Sequence, residues 1–264
     1  VSTSINPPEG EGPQESFISH LVELRDRLLR AVVAVLAVFI GLFLFPGPSA
    51  IYDVLAAPML ATLPAGTRMI ATGVVTPFMV PVKVTLLAAF VIALPVVLYQ
   101  AWAFVAPGLY KHEKRLALPL IVSSTLLFLL GMAFCYFFVF NMVFRFIADF
   151  APQSITPAPD IEAYLSFVMT MFLAFGLTFE VPVAVVLLLK TGIVTLQKLR
   201  DARPYVIVGA FVIAAIFTPP DVVSQFMLAV PLCVLYELGI VIGRWIKPLG
   251  SEDEGNESRQ AGQT

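Results

Sequence analysis

Along this chain, uncharged apolar stretches long enough to enter a bilayer alternate with short clusters of charge. Six runs stand out, at residues 28–45, 84–105, 116–144, 164–189, 205–217 and 222–243. None alternates polar and apolar residues with a period of two, and lipid admits only helices or closed barrels. The pattern therefore predicts an all-α, polytopic membrane protein, a bundle of six transmembrane helices. The fifth run, "YVIVGAFVIAAIF", has 13 residues. At about 1.5 Å per residue it covers roughly 20 Å, against a hydrocarbon core of about 30 Å. "TPPD" then stops it sharply, because neither Pro219 nor Pro220 can donate a helix hydrogen bond. The fifth and sixth helices are thus expected to form a short hairpin that thins the bilayer or rests beside a partner. An ordinary hairpin whose ends extend by a turn is the alternative.

Between the first two runs, residues 46–81 hold six prolines and the segment "IYDVLAAPML", which predicts a structured cap containing a short amphipathic helix. A second proline-rich loop, "APQSITPAPDIEAY", lies on the same side. Residues 1–15 are polar and proline-rich and are expected to be a disordered cytoplasmic segment without a cleavable apolar core, leaving the first span as an anchor. Residues 16–243 are expected to form the transmembrane domain and 244–264 a polar cytoplasmic tail, acidic and disordered from Ser251. No internal repeat is evident, which weighs against the paired halves common in secondary transporters.

The sign of the loop charges sets the orientation. Arg25, Arg27 and Arg30 precede the first span, Lys111, Lys114 and Arg115 lie between the second and third, Lys190, Lys198, Arg200 and Arg203 between the fourth and fifth, and Arg244, Lys247 and Arg259 after the sixth. The other side holds only Arg68, Lys83 and Arg145. By the positive-inside rule both termini are cytoplasmic, as an even number of spans requires. The net charge of −2 adds little to this.

Little in the chain suggests catalysis. Cys135 and Cys233 lie inside spans, where a thiol acts as a small apolar group. His20 and His112 have no second ligand at metal spacing, and no phosphate loop or nucleophile elbow is present. The expectation is no disulfide, no metal and no cofactor. Glu180 is the exception to the rule that charge stays out of the spans: it sits mid-run in "FLAFGLTFEVPVAVVLLLK". A carboxyl at membrane depth faces the bundle interior, and without a cation it is expected neutral or in contact with water. Pro182 removes the helical donor to the Thr178 carbonyl and makes that turn more polar.

At the start of the chain, "ESFISHLVELRDRLLRAV" repeats Phe17, Leu21, Leu24 and Leu28 at helical spacing, with Glu23 and Arg27 on the neighbouring polar stripe. An amphipathic helix running into the first span follows. Glu23 can pair locally with Arg27 one turn on, worth a few tenths of a kcal/mol. "YKHEKRL" likewise carries one acid, Glu113, among bases.

"FISHLVELRDRLL", "PFMVPVKVT", "YQAWAFVAPGLYKHEKR", "SFVMTMFLAFGLTFEVPV" and "RPYVIVGAFV" followed by "TPPDVVSQ" together closely resemble the TatC family, the polytopic receptor subunit of the twin-arginine protein translocase. The resemblance runs from about Phe17 to Gly243. It implies a cupped six-helix bundle in the bacterial cytoplasmic (inner) membrane that binds signal peptides bearing consecutive arginines, without catalytic chemistry of its own. It implies single-span partners of the TatA and TatB type, contact with membrane lipid, self-association in a larger complex, no nucleic acid, and export of folded proteins driven by the proton motive force. The family's recognition carboxylates fall on Glu23 and Glu113, with Arg25 and Arg27 in the same helix and Phe104 and Leu109 nearby. Carboxylates accept guanidinium groups in bidentate fashion, and lysine cannot reproduce that fork. Glu180 resembles the family's intramembrane glutamate and, with Thr218, Asp221 and Gln225, is expected to offer polar sites to partner helices.

Two other classes fit parts of the pattern. A proton-coupled small-solute secondary transporter would also use one buried glutamate, but calls for repeats or a second acid deeper than Glu237. A static scaffold would need no acid pair on a basic face.

Overall fold

A computed structural model describes residues 13–60, 69–105, 114–150, 152, 158–218 and 221–245. Ten α-helices and one π-helical turn are formed among these residues, and the only β-type pairing is an isolated bridge between Ile70 and Asp160. Five helical stretches are long and apolar enough to cross a membrane: Leu21–Leu44, Thr76–Val105, Leu118–Phe150, Ile161–Lys190 and Val222–Gly243. A sixth apolar helix, Arg203–Phe217, is shorter. The six runs of the sequence thus each become helix.

α1 (Pro13–Leu44) carries the amphipathic start and the first apolar run as one continuous helix and packs on α3. α2 (Pro48–Leu60) is the helix expected in the first proline-rich loop, and it lies against α3 and the third crossing. The end of the bundle that bears α2 is called here the cap end, and the opposite one the base.

α3 (Thr76–Val105) begins earlier than its apolar run, absorbing Pro77 and Pro81, which were expected in the loop. Pro77 falls in the first turn, whose N–H groups lack helical acceptors anyway, whereas Pro81 lies inside the helix and leaves the Pro77 carbonyl without its usual donor. Thr85 Oγ1 donates to the Pro81 carbonyl at 2.8 Å. Lys83 therefore sits on a helix, as does Arg145, both of which were expected in loops.

The third crossing is interrupted. α4 (Lys114–Phe134) passes into a π-helical turn, Cys135–Val139, and then α5 (Phe140–Phe150). The wider turn keeps Cys135 and Val139 fully buried while the Tyr136 hydroxyl reaches the Val54 carbonyl of α2 at 3.1 Å. α6 (Ile161–Phe179) and α7 (Val181–Lys190) make the fourth crossing, broken at Glu180. α6 packs against α3, α4 and the last helix, and Val168, Met171 and Phe175 on it are completely buried. Gly131 lets α4 approach: a Cβ there would stand 2.6 Å from the Phe175 carbonyl oxygen.

α8 (Leu196–Asp201) is a short base-end helix leading to α9 (Arg203–Phe217), and α10 (Val222–Gly243) closes the chain. With 15 residues α9 spans about 22 Å, two residues more than the apolar run, so it remains short. The sixth run departs from expectation: α10 has 22 residues, about 33 Å, the shortest of the five long stretches yet enough to cross. Asp221 starts it at once by accepting from the Ser224 N–H at 2.7 Å, so no length is lost after the turn.

Candidate functional site

At the base end, α1 presents Glu23, Arg25 and Arg27 within little more than one turn. Arg27 donates to Glu23 Oε1 from Nε at 2.9 Å and from Nη2 at 2.6 Å, the local pairing that the spacing allows. Arg25 turns instead to Asp26 Oδ1, at 3.0 and 2.9 Å, a partner the sequence did not single out. Both acids line a shallow polar pocket with Arg27 and Arg30.

Behind this rim, a groove of about 260 Å³ opens between α1 and α3, walled by Leu24, Leu28, Phe104 and Val105, with Arg27 and Gln100 as its polar members. Gln100 is buried and its Oε1 has no hydrogen-bond partner. The structure thus brings Arg27 and Phe104 to one groove, with Glu23 on its rim through Arg27. Leu109 and Glu113 lie outside the described residues. An apolar slot with a carboxylate and a guanidinium at its mouth can receive an extended segment whose basic end precedes an apolar one.

Glu180 occupies a different place. α6 stops at Phe179, Glu180 forms the turn (φ −76°, ψ −15°), and α7 resumes with Pro182 in its first turn. Pro182 cannot donate to Thr178, and the Glu180 N–H turns back towards the Leu177 and Thr178 carbonyls, so the predicted orphan carbonyl is partly served by a tightened turn. The side chain is buried. Ser124 Oγ on α4 donates to Glu180 Oε2, and Trp102 Nε1 on α3 donates to Ser124 Oγ at 2.7 Å. Glu180 Oε1 has no partner. Three crossings therefore meet in a chain of Trp102, Ser124 and Glu180, of which sequence reasoning found only the last.

Thr218, Asp221 and Gln225 come together at the α9–α10 turn. Thr218 Oγ1 donates to the Ala214 carbonyl at 2.8 Å, Asp221 caps α10, and Gln225 Nε2 reaches the Phe211 carbonyl at 3.3 Å. This turn is at the cap end, whereas Glu180 lies 19 residues along the fourth crossing, roughly 28 Å from its start. Among the described residues no hydrogen bond joins Glu180 to these three, so the polar groups form two sites.

A further polar cluster, unforeseen in the sequence, fastens the cap. Asp160 accepts from the Glu162 and Ala163 N–H groups at 2.9 and 3.0 Å, and from Thr72 through N at 3.1 Å and Oγ1 at 2.8 Å. The Ala163 N–H first, and then the Thr72 hydroxyl, hold its carboxyl below the usual range. Lys83 Nζ donates to Glu162 Oε1 at 2.8 Å and Thr76 Oγ1 to Oε2 at 3.2 Å. An aspartate just before an apolar helical run is a legible cap signal, but its partners some 80 residues away are not.

With this geometry in view, comparison with known proteins is decisive. Residues 19–231 match the family described as Sec-independent protein translocase protein (TatC). The chain belongs to the TatC family. It is 50% identical over 240 residues to the Sec-independent protein translocase protein TatC of Escherichia coli (strain K12), covering 91% of this chain and 92% of that one. The TatC of Haemophilus influenzae is likewise 50% identical over 238 residues, covering 90% of this chain and 92% of its own length. Among solved structures, a crystal structure of the twin-arginine translocase receptor TatC matches with a TM-score of 0.74 at 40% identity, covering 86% of this chain and 98% of that one. Apolar crossings and bacterial TatC relatives together make this an integral protein of the bacterial inner membrane. The reading as a proton-coupled small-solute transporter finds no support.

Proposed function

We propose that the protein is the signal-peptide receptor and core subunit of a Sec-independent, twin-arginine translocase, which exports folded proteins using the proton motive force. Its termini and base end face the cytoplasm, where the basic loops cluster. The observation that carries the reading is the Glu23–Arg27 pair at the mouth of the α1–α3 groove, beside Phe104. Glu23 holds the guanidinium of Arg27 from one turn along α1. A peptide arginine replaces it on like terms, so the exchange costs little beyond a surface ion pair, itself worth about 0–1 kcal/mol.

Glu113 takes the second arginine, Leu109 and Phe104 support the apolar part of the peptide, and Arg25 and Arg27 set the register. Lysine presents a point charge without the planar fork and competes poorly. Glu180 serves partner helices of the TatA and TatB type through its open oxygen, and Thr218, Asp221 and Gln225 do so at the other end of the bundle. Self-association and lipid contact complete the assembly, and nucleic acid has no part in it.

The test is binding of an arginine-pair peptide to detergent-solubilised protein, beside uptake of small solutes by vesicles containing it. Peptide binding that a lysine pair abolishes, with no solute uptake, is the expected result. Solute uptake with no discrimination between the peptides would overturn the proposal.

A further inference from the structure

Cations that the α1–α3 groove does not use gather at the base end of α9. Tyr236 of α10 donates its hydroxyl to the Leu199 carbonyl at 2.8 Å, which pins α8 onto α10 and sets Lys198, Arg200 and Arg203 beside the end of α10, where Arg244 follows. Only part of this charge is met. Arg203 Nη2 donates to Glu237 Oε2 at 2.6 Å, while Asp201 takes a hydrogen bond from Gln197 at 3.1 Å. Nε of both Arg200 and Arg203 is buried without a hydrogen-bond partner, whereas Lys198 and Arg244 are exposed and Arg200 half-buried, so a ligand reaches this cluster through its outer nitrogens.

Two aromatic side chains mark the depth of this cluster. Tyr205, two residues into α9, is 80% exposed, and Trp245, just past α10, is 88% exposed. Exposed Tyr and Trp at the ends of membrane helices sit at headgroup level, which puts the neighbouring cations there too. Below them, Val208 and Ile242 present exposed apolar surface. α9 itself covers about 22 Å of a hydrocarbon core of about 30 Å, so a helix held at this interface falls short of the other.

We propose that Lys198, Arg200 and Arg244, backed by Arg203, form a binding site for the phosphate of an anionic phospholipid whose chains run down the short helix α9. Along α9 and α10 the cations stand at the base ends and the exposed apolar residues Val208 and Ile242 within the next two turns, an order that matches a headgroup over acyl chains. An acidic protein segment would satisfy the charges but leave Tyr205, Val208 and Ile242 uncovered. The bound lipid holds α9 at the base interface, and the mismatch is taken up at the Thr218 turn. The site does not depend on the signal-peptide reading.

Thermal unfolding of the purified full chain in neutral detergent, titrated with phosphatidylglycerol, phosphatidylcholine or glycerol 3-phosphate, tests the site. Phosphatidylglycerol is expected to raise Tm at much lower concentration than either of the others. Each basic residue near a membrane surface contributes about fivefold in affinity, so Lys198→Gln with Arg200→Gln should raise the half-saturating concentration on the order of twentyfold, and Arg244→Gln alone about fivefold. Arg203 is left in place because it holds Glu237. Removing a charge elsewhere, with Arg145→Gln, should leave the midpoint where it was. Equal midpoints for the Lys198/Arg200 double variant and the wild type, or a shift in the Arg145 control equal to that of Arg244→Gln, would overturn the proposal. So would equal protection by phosphatidylcholine, by glycerol 3-phosphate, or by an acidic peptide of sequence SEDEGNE.

Discussion

Glu23 and Glu180 are both single carboxylates beside apolar runs, and the two regions that hold them differ in what surrounds the charge. Glu23 is on α1, which packs on α3 and leaves Leu28, Val33 and Ile40 exposed. It pairs with a guanidinium one turn along the same helix, and its side chain is 39% exposed, so water screens the pair. Glu180 is 7% exposed at a helix break, and its partner is a serine hydroxyl on another crossing, itself held by a tryptophan on a third. A screened ion pair can exchange one guanidinium for another. A buried hydrogen-bond chain fixes three crossings relative to one another and changes only if its geometry changes. Recognition of a diffusing basic ligand suits the first, and a permanent docking geometry for helices suits the second.

The largest effect should come from tightening the interior around α6. Gly131→Ala drives a Cβ into the Phe175 carbonyl, which a flexible side chain cannot relieve, and should lower stability by about 1–3 kcal/mol. Gly41→Ala on α1 meets nothing within 4 Å and should leave stability unchanged or slightly raised. Thermal unfolding in detergent compares the two, and equal losses would erase the contrast between α1 and α6.

Next is Glu180→Ala, which leaves the protein folded but strands the buried Ser124 hydroxyl as a donor, at a cost of about 1–3 kcal/mol. Glu180→Gln keeps an acceptor and should recover most of that loss. If both variants unfold alike, the Ser124 bond contributes nothing.

Asp160 is a third case, half-buried and fully hydrogen-bonded. Its carboxyl is held below its ordinary range when folded, so its contribution is present above the unfolded value, near pH 4, and is lost as pH falls through the lower folded value. Amide exchange at Thr72 should therefore quicken below about pH 4 in the wild type, and should lose that acid step in Asp160→Asn. A step retained in the variant would assign it to another group. The smallest change is in stability on Glu23→Gln, a few tenths of a kcal/mol for a screened pair one turn apart.

The helices and the two carboxylates were legible because each depends on local pattern. Apolar runs gave the crossings, the i,i+4 spacing gave Glu23 with Arg27, and Pro182 marked a more polar turn at Glu180, though not that the helix breaks there. What escaped depends on residues far apart in sequence. Ser124 and Trp102 are unremarkable members of apolar runs until the fold sets them 56 and 78 positions from Glu180 along the chain yet in one hydrogen-bond chain. The π-helical turn at Cys135–Val139 answers to the packing of Tyr136 against α2, which no local signal encodes. The length of α10 was legible, since the apolar run 222–243 has the bounds of the helix and Asp221 carried the cap signal that starts it.

The claim that rests most directly on this contrast is that Glu23 and Glu113 receive peptide arginines while Glu180 does not. Labelled arginine-pair and lysine-pair peptides titrated against wild type, Glu23→Gln, Glu113→Gln and the double variant measure it, with Glu180→Gln as the reference. Each of the first two substitutions should weaken the arginine-pair peptide by about 1.5–3 kcal/mol, the typical worth of a hydrogen bond to a charged group, and hardly affect the lysine pair. The two losses should add if each carboxylate holds its own arginine, and fall short of additivity if they share one. Glu180→Gln should bind as wild type does. Equal affinity for the two peptides, or Glu23→Gln and Glu113→Gln variants indistinguishable from wild type, would contradict the account and return Glu23 to a local partner of Arg27.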